Sequence, residues 1–278
     1  MLKFVRWGFP ILEKIAPPLA EKAFITIFFK PLKYVVPEKE KQFAESAEKF
    51  TITVAGKIVQ CYSWGKGPVV WVVHGWAGRA TQFRKIIQAF VSAGYRVVGF
   101  DGPAHGNSQG KNTNIIEFEQ AFRELHKKTG RPEGVIAHSF GGGAVLYAAM
   151  NGMDVPRLIN IASPTIGDEI INTYLRAING SKRTGESFKE WIIQKYGRPF
   201  DEFTSLWFIR RLPAPIDLLL VHDRNDRDVT VEHAQALKAV YPAAQLLVTE
   251  GLGHTRILKD EKVIDQCVTF VREGRLTS

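Results

Sequence analysis

At 278 residues, 45% of them hydrophobic, the chain has enough apolar material for one large α/β core or two small ones, which excludes a disordered polypeptide. Two cysteines, Cys61 and Cys267, imply no disulfide framework and favour a reducing, cytoplasmic compartment in which both are buried small hydrophobes. The net charge of +9 suits anionic surfaces or substrates, yet the basic residues are dispersed and no nucleic-acid motif accompanies them, so no nucleic-acid partner is expected.

Residues 1–48 read as an N-terminal helical extension in which Pro10, Pro17, Pro18, Pro31 and Pro37 punctuate short apolar helices. Lys3, Arg6, Lys14, Lys22, Lys30 and Lys33 are set there among aromatic and aliphatic residues. Arg6, Glu13 and Lys14 break the uninterrupted apolar core that a signal peptide needs, and the longest apolar stretch, 23–29, is too short to span a bilayer. The extension is expected to pack on the body or to form a dimer contact; the alternative, through residues 1–35, is peripheral contact with an anionic membrane.

Residues 50–54 and 58–64 then form a hairpin through Ala55-Gly56, followed by a fully apolar buried strand at 69–73. A helix at 81–93 leads to a strand at 95–100. Asn114, with Glu117 three residues on, caps a helix that ends near Gly130. Strands at 135–137 and 158–162 flank a helix-forming stretch at 144–150. The alternation breaks at 164–214, where helices at 168–179, 186–196 and 201–211 carry many aromatics and read as a cap. It resumes with a strand at 216–221, a helix at 231–240, a strand at 245–248 and a helix at 259–272. Strands alternating with helices after an opening hairpin give a mostly parallel sheet covered on both faces, built from 49–163 and 215–278.

The chemistry centres on Gly134-Val-Ile-Ala-His-Ser-Phe-Gly-Gly-Gly143, a short apolar run ending in a serine among small residues ahead of a helix. Such a strand, turn and helix lifts the Ser139 hydroxyl clear of the sheet, with the first helical N–H groups pointing at whatever it attacks. A serine hydroxyl near neutral pH needs an adjacent base and a third group to hold that base. Candidates follow in the order acid, then base: Asp226 in His222-Asp-Arg-Asn-Asp-Arg-Asp-Val229, and His254 in Gly251-Leu-Gly-His-Thr255. Asp223 and Asp228 lie on the same loop as Asp226. No His/Cys/Glu spacing suggests a metal site, and no organic cofactor is implied.

In this order of nucleophile, acid and base the chain resembles the α/β-hydrolase superfamily, over roughly Lys49 to the C-terminus. The resemblance implies a doubly wound α/β-hydrolase sheet with a small helical cap inserted after the sixth strand. It favours Asp226 as the acid, through Asp226-Arg-Asp-Val229, with Asp228 next. His74-Gly-Trp-Ala-Gly78 is similar to the family's loop that donates one oxyanion-hole N–H, which would be that of Trp76; the second would come from Phe140. Trp76, Trp191 and Trp207 are expected in the substrate pocket, His74 is expected to brace its loop, and Asp101-Gly-Pro-Ala-His-Gly-Asn-Ser108 to be a structural turn. His126, His138, His222 and His233 are given no part in the chemistry. The chain departs from the family at Ala137, where a glycine usually stands, so a slightly opened turn is expected. Ser139 separates it from the aspartate-nucleophile branches. The implied activity is hydrolysis of an ester, or else a thioester or amide, of a small to medium apolar substrate. Acyl transfer, C–C bond hydrolysis and ligand binding without turnover remain alternatives.

Overall fold

The computed structural model describes residues 2–276. Three helices lead the chain, α1 (Leu2–Ile15), α2 (Pro17–Phe29) and α3 (Glu38–Glu45), followed by β1 (Glu48–Val54), β2 (Lys57–Trp64) and β3 (Val69–Val73). Helices and strands then alternate as α4 (Arg84–Ser92), β4 (Arg96–Phe100), α5 (Ile115–Thr129), β5 (Gly134–His138), α6 (Phe140–Met150) and β6 (Arg157–Ile161). The insertion supplies α7 (Gly167–Ile178), α8 (Lys182–Tyr196) and α9 (Ser205–Ile209). The chain closes with β7 (Asp217–Asp223), α10 (Glu232–Val240), β8 (Gln245–Thr249), the single turn α11 (Gly253–Arg256) and α12 (Glu261–Glu273).

The eight strands form one sheet in the order β1-β2-β4-β3-β5-β6-β7-β8, in which β2 runs against its neighbours β1 and β4 and the remaining pairs are parallel. Continuous apolar runs such as Val69–Val73 suit strands covered on both faces, because successive side chains point to opposite sides. Trp71, Val73, Val135 and Ala137 accordingly enter one core, shared with α5, α6, α9 and α10. Val70, Val72 and Ile136 enter the other, shared with α4 and α12. Val73 pairs with Ala137 and His138 with Ile161, so the C-terminal ends of β3, β5 and β6 finish together at the same edge of the sheet. In an open α/β sheet that edge, where the strand order reverses, is where ligands bind.

A third core joins the extension to the insertion: Phe9, Ala20 and Phe24 pack with Ile171 and Leu175 of α7 and Phe188 and Ile192 of α8. Pro10 does not end α1 as the sequence suggests but lies inside it. Proline has no N–H for the carbonyl four residues back, which is that of Arg6, and Asn179 Nδ2 donates to that oxygen instead at 3.2 Å. Glu13 accepts from the Ser181 N–H at 2.9 Å and from the Ser181 and Thr184 hydroxyls. Burial alone would raise its carboxyl, but these bonds outweigh it and hold it below the usual range. The helix expected at 201–211 is broken: a 3-10 turn at Phe200–Phe203 gives way to extended Thr204 (φ −114°, ψ 154°), and α9 starts after it. The Thr204 hydroxyl donates to the Asp201 carbonyl at 2.7 Å, the local competition that lets threonine stop a helix. Among the described residues no helix is long and apolar enough to cross a membrane.

Five histidines are buried among the described residues, His74, His105, His138, His222 and His233, and they brace the loops at the strand ends. His74 Nε2 accepts the Gly102 N–H at 2.8 Å while its Nδ1–H donates to the Gly75 carbonyl at 2.7 Å, a tautomer that only the neutral ring offers. His233 Nδ1 accepts the Thr165 N–H at 2.9 Å in the same way. Burial, with neighbouring positive or titratable groups adding to it, depresses His74 and His233 to about 4 and His105 and His138 to about 3. Unfolded histidine takes its proton near pH 6.5, and these native rings do so only near pH 3 to 4, so the unfolded state binds more protons throughout that window. Stability is therefore complete above about pH 6.5 and falls as pH drops, by up to about 1.4 kcal/mol per unit for each ring. Urea unfolding at pH 7.5 and pH 5 is expected to show a loss of several kcal/mol at the lower pH; coincident midpoints would refute the neutral-histidine assignment.

Candidate active site

Ser139 links β5 to α6 with φ 52° and ψ −127°, a region that residues with a side chain rarely enter. Its N–H donates to the Ile161 carbonyl at 2.8 Å, and its own carbonyl accepts from the Ser163 hydroxyl at 2.8 Å and the Gly142 N–H at 3.0 Å. Glycines make the turn possible by leaving no side chain where neighbouring atoms come close. A Cβ on Gly75 would lie 2.7 Å from the Ser139 Cβ, one on Gly141 2.6 Å from the Val73 carbonyl, and one on Gly142 1.8 Å from Asn160 Oδ1. Ala137 is buried in the apolar core that also holds Ala144 and Val145, while the close approach of α6 to β3 falls at Gly141. Phe140 is the first residue of α6, where backbone N–H groups have no partner inside the helix and carry the positive end of its dipole.

The partners come from the loops after β7 and β8, whose ends are neighbours because Asp223 pairs with Thr249. Asp223 ties the two loops together, accepting from the Asn225 N–H at 3.0 Å, the Thr249 hydroxyl at 2.8 Å and the Leu252 N–H at 3.0 Å. The Asp226 side chain is wholly buried. Its Oδ1 accepts the backbone N–H groups of Asp228 and Val229 at 2.9 and 3.0 Å, and its Oδ2 lies 2.7 Å from His254 Nδ1. Burial works to raise this carboxyl, but the His254 hydrogen bond and charge and the two backbone donors prevail, and it is held below the ordinary carboxylate range. Ionised Asp226 thus fixes the proton of His254 on Nδ1 and leaves Nε2 as the basic nitrogen.

Asp228 is exposed, although its carboxylate stands within 4.8 Å of the ligand atoms of Asp226 and His254. That grouping has the residue types of a cation site, but both Asp226 oxygens and His254 Nδ1 already satisfy one another or the backbone. His138, to which sequence reasoning gave no part, joins the two halves of the site: it precedes Ser139, its Nε2–H donates to the His254 carbonyl at 2.8 Å, and the two rings lie 4.7 Å apart. No hydrogen bond links Ser139 to His254 among the described residues, and such contacts often tighten only around substrate. The only signal for His138 in the sequence is its position next to the serine.

Trp76 follows β3 in a turn closed by the Gly78 N–H on the Gly75 carbonyl at 3.0 Å and braced by His74. The Trp76 and Phe140 rings meet edge to face at 5.2 Å and form one wall of a cleft of about 820 Å³, counting the solvent at its mouth. Phe28 and Phe29 of α2 form a second wall, and Tyr174, Ile192 and Phe200 of the insertion form a third. Ser139 is not itself in the lining, but Trp76 and Phe140 on either side of it are, so the cleft ends against the serine turn. Of the three tryptophans expected there, Trp191 and Trp207 are not in its lining. Trp191 packs on Phe29 and Phe188, and Trp207 lies against the main core with the Arg211 guanidinium over its ring at 3.2 Å. On α8 the inward stripe is Phe188 and Ile192, four residues apart, which leaves Trp191 to one side. The wall from α2 has one trace in the sequence, the aromatic pair before Pro31, but nothing local shows what that pair covers.

Residues 68–170 match the family described as alpha/beta hydrolase fold. The chain is 35% identical over 85 residues to the monoacylglycerol lipase of Mycolicibacterium smegmatis, a match spanning 28% of this chain and 30% of that protein. Among solved structures it resembles the Pyrococcus furiosus esterase Pf2001, with a TM-score of 0.65 at 23% identity over 87% of this chain and 98% of the other. It also resembles a bacterial membrane phospholipase A, with a TM-score of 0.64 at 16% identity over 99% of both chains, so the likeness of fold extends over the N-terminal helices. The sheet order and the strand-turn-helix at Ser139 thus give the chain an α/β-hydrolase fold, with residues 68–170 matching that family.

Proposed function

We propose that the protein is a serine hydrolase that cleaves a carboxylic ester of a small to medium apolar substrate through an acyl-enzyme on Ser139. The observation that carries the reading is the 2.7 Å bond between His254 and buried, ionised Asp226 beside the strained serine turn. His254 Nε2 takes the Ser139 proton as the oxygen attacks the ester carbonyl. Asp226 stabilises the imidazolium that results. The Trp76 and Phe140 N–H groups receive the negative oxygen of the tetrahedral intermediate, and His254 then protonates the departing alkoxide. Water, deprotonated by the same ring, attacks the acyl-enzyme and releases the acid. His138 is a positioning residue in this scheme, holding the His254 loop against β5.

Helices α7 to α9 act as a cap whose aromatic underside, with Phe28 and Phe29, takes up the acyl chain. An ester substrate agrees with the names of the Mycolicibacterium lipase and the Pyrococcus esterase. The apolar lining and the absence of a charged side chain in it argue against a strongly ionic substrate.

A fluorophosphonate probe is expected to label the protein at Ser139, and Ser139→Ala to lose both labelling and ester hydrolysis while keeping its circular dichroism; labelling that persists in the variant would remove Ser139 from this role. Asp226→Asn should lower kcat by roughly four orders of magnitude, as loss of a triad carboxylate does elsewhere. Asp228→Asn, at an exposed position, should change it by less than about tenfold; the reverse ranking would make Asp228 the acid. Along a series of p-nitrophenyl esters, kcat/KM should rise with acyl length, by up to about 0.8 kcal/mol per buried methylene, until the cleft is full and then decline. Rates that keep rising through emulsified long-chain lipids would show an open site.

A further inference from the structure

We propose that α1 is a docking surface for an anionic lipid bilayer. A helix on a protein surface ordinarily has one apolar stripe, facing the core. This one has two. Val5, Phe9 and Leu12 form the inner stripe and pack in the core shared with the insertion. Phe4, Trp7, Ile11 and Ile15, spaced three or four apart and so on one face, form the outer stripe and are 81%, 75%, 42% and 75% exposed. Leu19, at the start of α2, extends it at 59% exposure. The inner stripe, with the Asn179 and Glu13 hydrogen bonds to the insertion, accounts for holding α1 to the protein, so the outer one serves something the folded chain does not contain.

Charge selects the occupant. Arg6, Lys14, Lys22 and Lys30 are exposed on α1, on α2 and at the end of α2, and none has a carboxylate partner among the described residues. The acidic residues of these two helices are Glu13, consumed by Ser181 and Thr184, and half-buried Glu21. A second copy of the chain on this face would set unpaired cations against their equivalents in a protein of net charge +9. Anionic headgroups would neutralise the same cations while the acyl boundary accepts Phe4, Trp7, Ile11 and Ile15. A helix of 14 residues, about 21 Å long, would lie in the plane of such an interface rather than cross it. This surface is independent of the chemistry at Ser139.

The full chain is sedimented with phosphatidylcholine vesicles, with and without phosphatidylglycerol, at low and high salt. Binding is expected to the anionic vesicles at low salt, at least tenfold weaker to the neutral ones, and reduced by salt. Phe4→Ser/Trp7→Ser/Ile11→Ser should lose at least tenfold in vesicle binding, and Lys14→Glu/Lys22→Glu should lose binding together with most of the salt dependence. Both variants should keep near-UV circular dichroism and turnover of a soluble ester, because none of these residues lines the cleft. Wild-type protein that ignores anionic vesicles at low salt, or a triple-serine variant that binds as well as wild type, overturns the proposal. So does a dimer in sedimentation equilibrium that the triple-serine change dissociates, since the stripe would then be a contact between copies. A protein that binds vesicles through α1 yet cleaves no ester supports the docking surface and removes the hydrolase reading alone.

Discussion

Ser139 is held at φ 52°, a conformation that for a residue with a side chain costs on the order of 1–3 kcal/mol and persists only where its surroundings over-determine it. Those surroundings come from the two strands that flank β5. The end of β6 supplies the carbonyl that takes the Ser139 N–H, and Ser163 beyond it donates to the Ser139 carbonyl. The loop after β3 presses Gly75 against the serine Cβ, and the end of β3 lies under Gly141 at a distance only glycine tolerates. The parallel register that ends β3, β5 and β6 together therefore both sets the exposure of the serine and delivers the loops that support it.

Electrostatics around the turn are arranged by burial. His74, His105 and His138 are all depressed far enough to stay neutral near pH 7, so they act as fixed hydrogen-bonding braces and bring no positive charge to the serine. Asp226, by contrast, is buried and ionised because two backbone N–H groups and His254 offset its desolvation. A buried negative charge bonded to the His254 imidazole is the arrangement a general base needs, and it gives Nε2 of His254 its direction. The N-terminal extension enters the same design from outside the sheet. It shares a core with α7 and α8 and places Phe28 and Phe29 in the wall of the cleft, so truncating it would open the cleft as well as shorten the chain.

The strands and the serine turn were legible because their signals are local. A run such as Val69–Val73 has no stable place except inside a covered sheet, and the alternation of such runs with helical stretches leads to the observed eight-stranded, mostly parallel sheet. Helix ends were less legible wherever a distant residue decided them. Pro10 reads as a stop until Asn179, 169 positions later, supplies a donor for the carbonyl the proline abandons. Thr204 interrupts a stretch that periodicity alone makes continuous.

By itself the sequence determined the residue types and their order: a serine between strand and helix, an aspartate-rich loop, then a glycine-bound histidine. Those depend on short-range sterics and hydrogen-bonding capacity, which neighbours in the chain express. The tertiary structure alone decided the pairings. Asp223, Asp226 and Asp228 are chemically identical, and only the packing of the loops after β7 and β8 buries Asp226 against His254, sets Asp223 to joining the loops and leaves Asp228 in solvent. The same holds for the cleft, where Phe28 and Phe29 stand in the wall and Trp191 and Trp207 do not. An aromatic residue is equally suited to a core, a cleft or a surface, and its place is settled by which distant element packs against it.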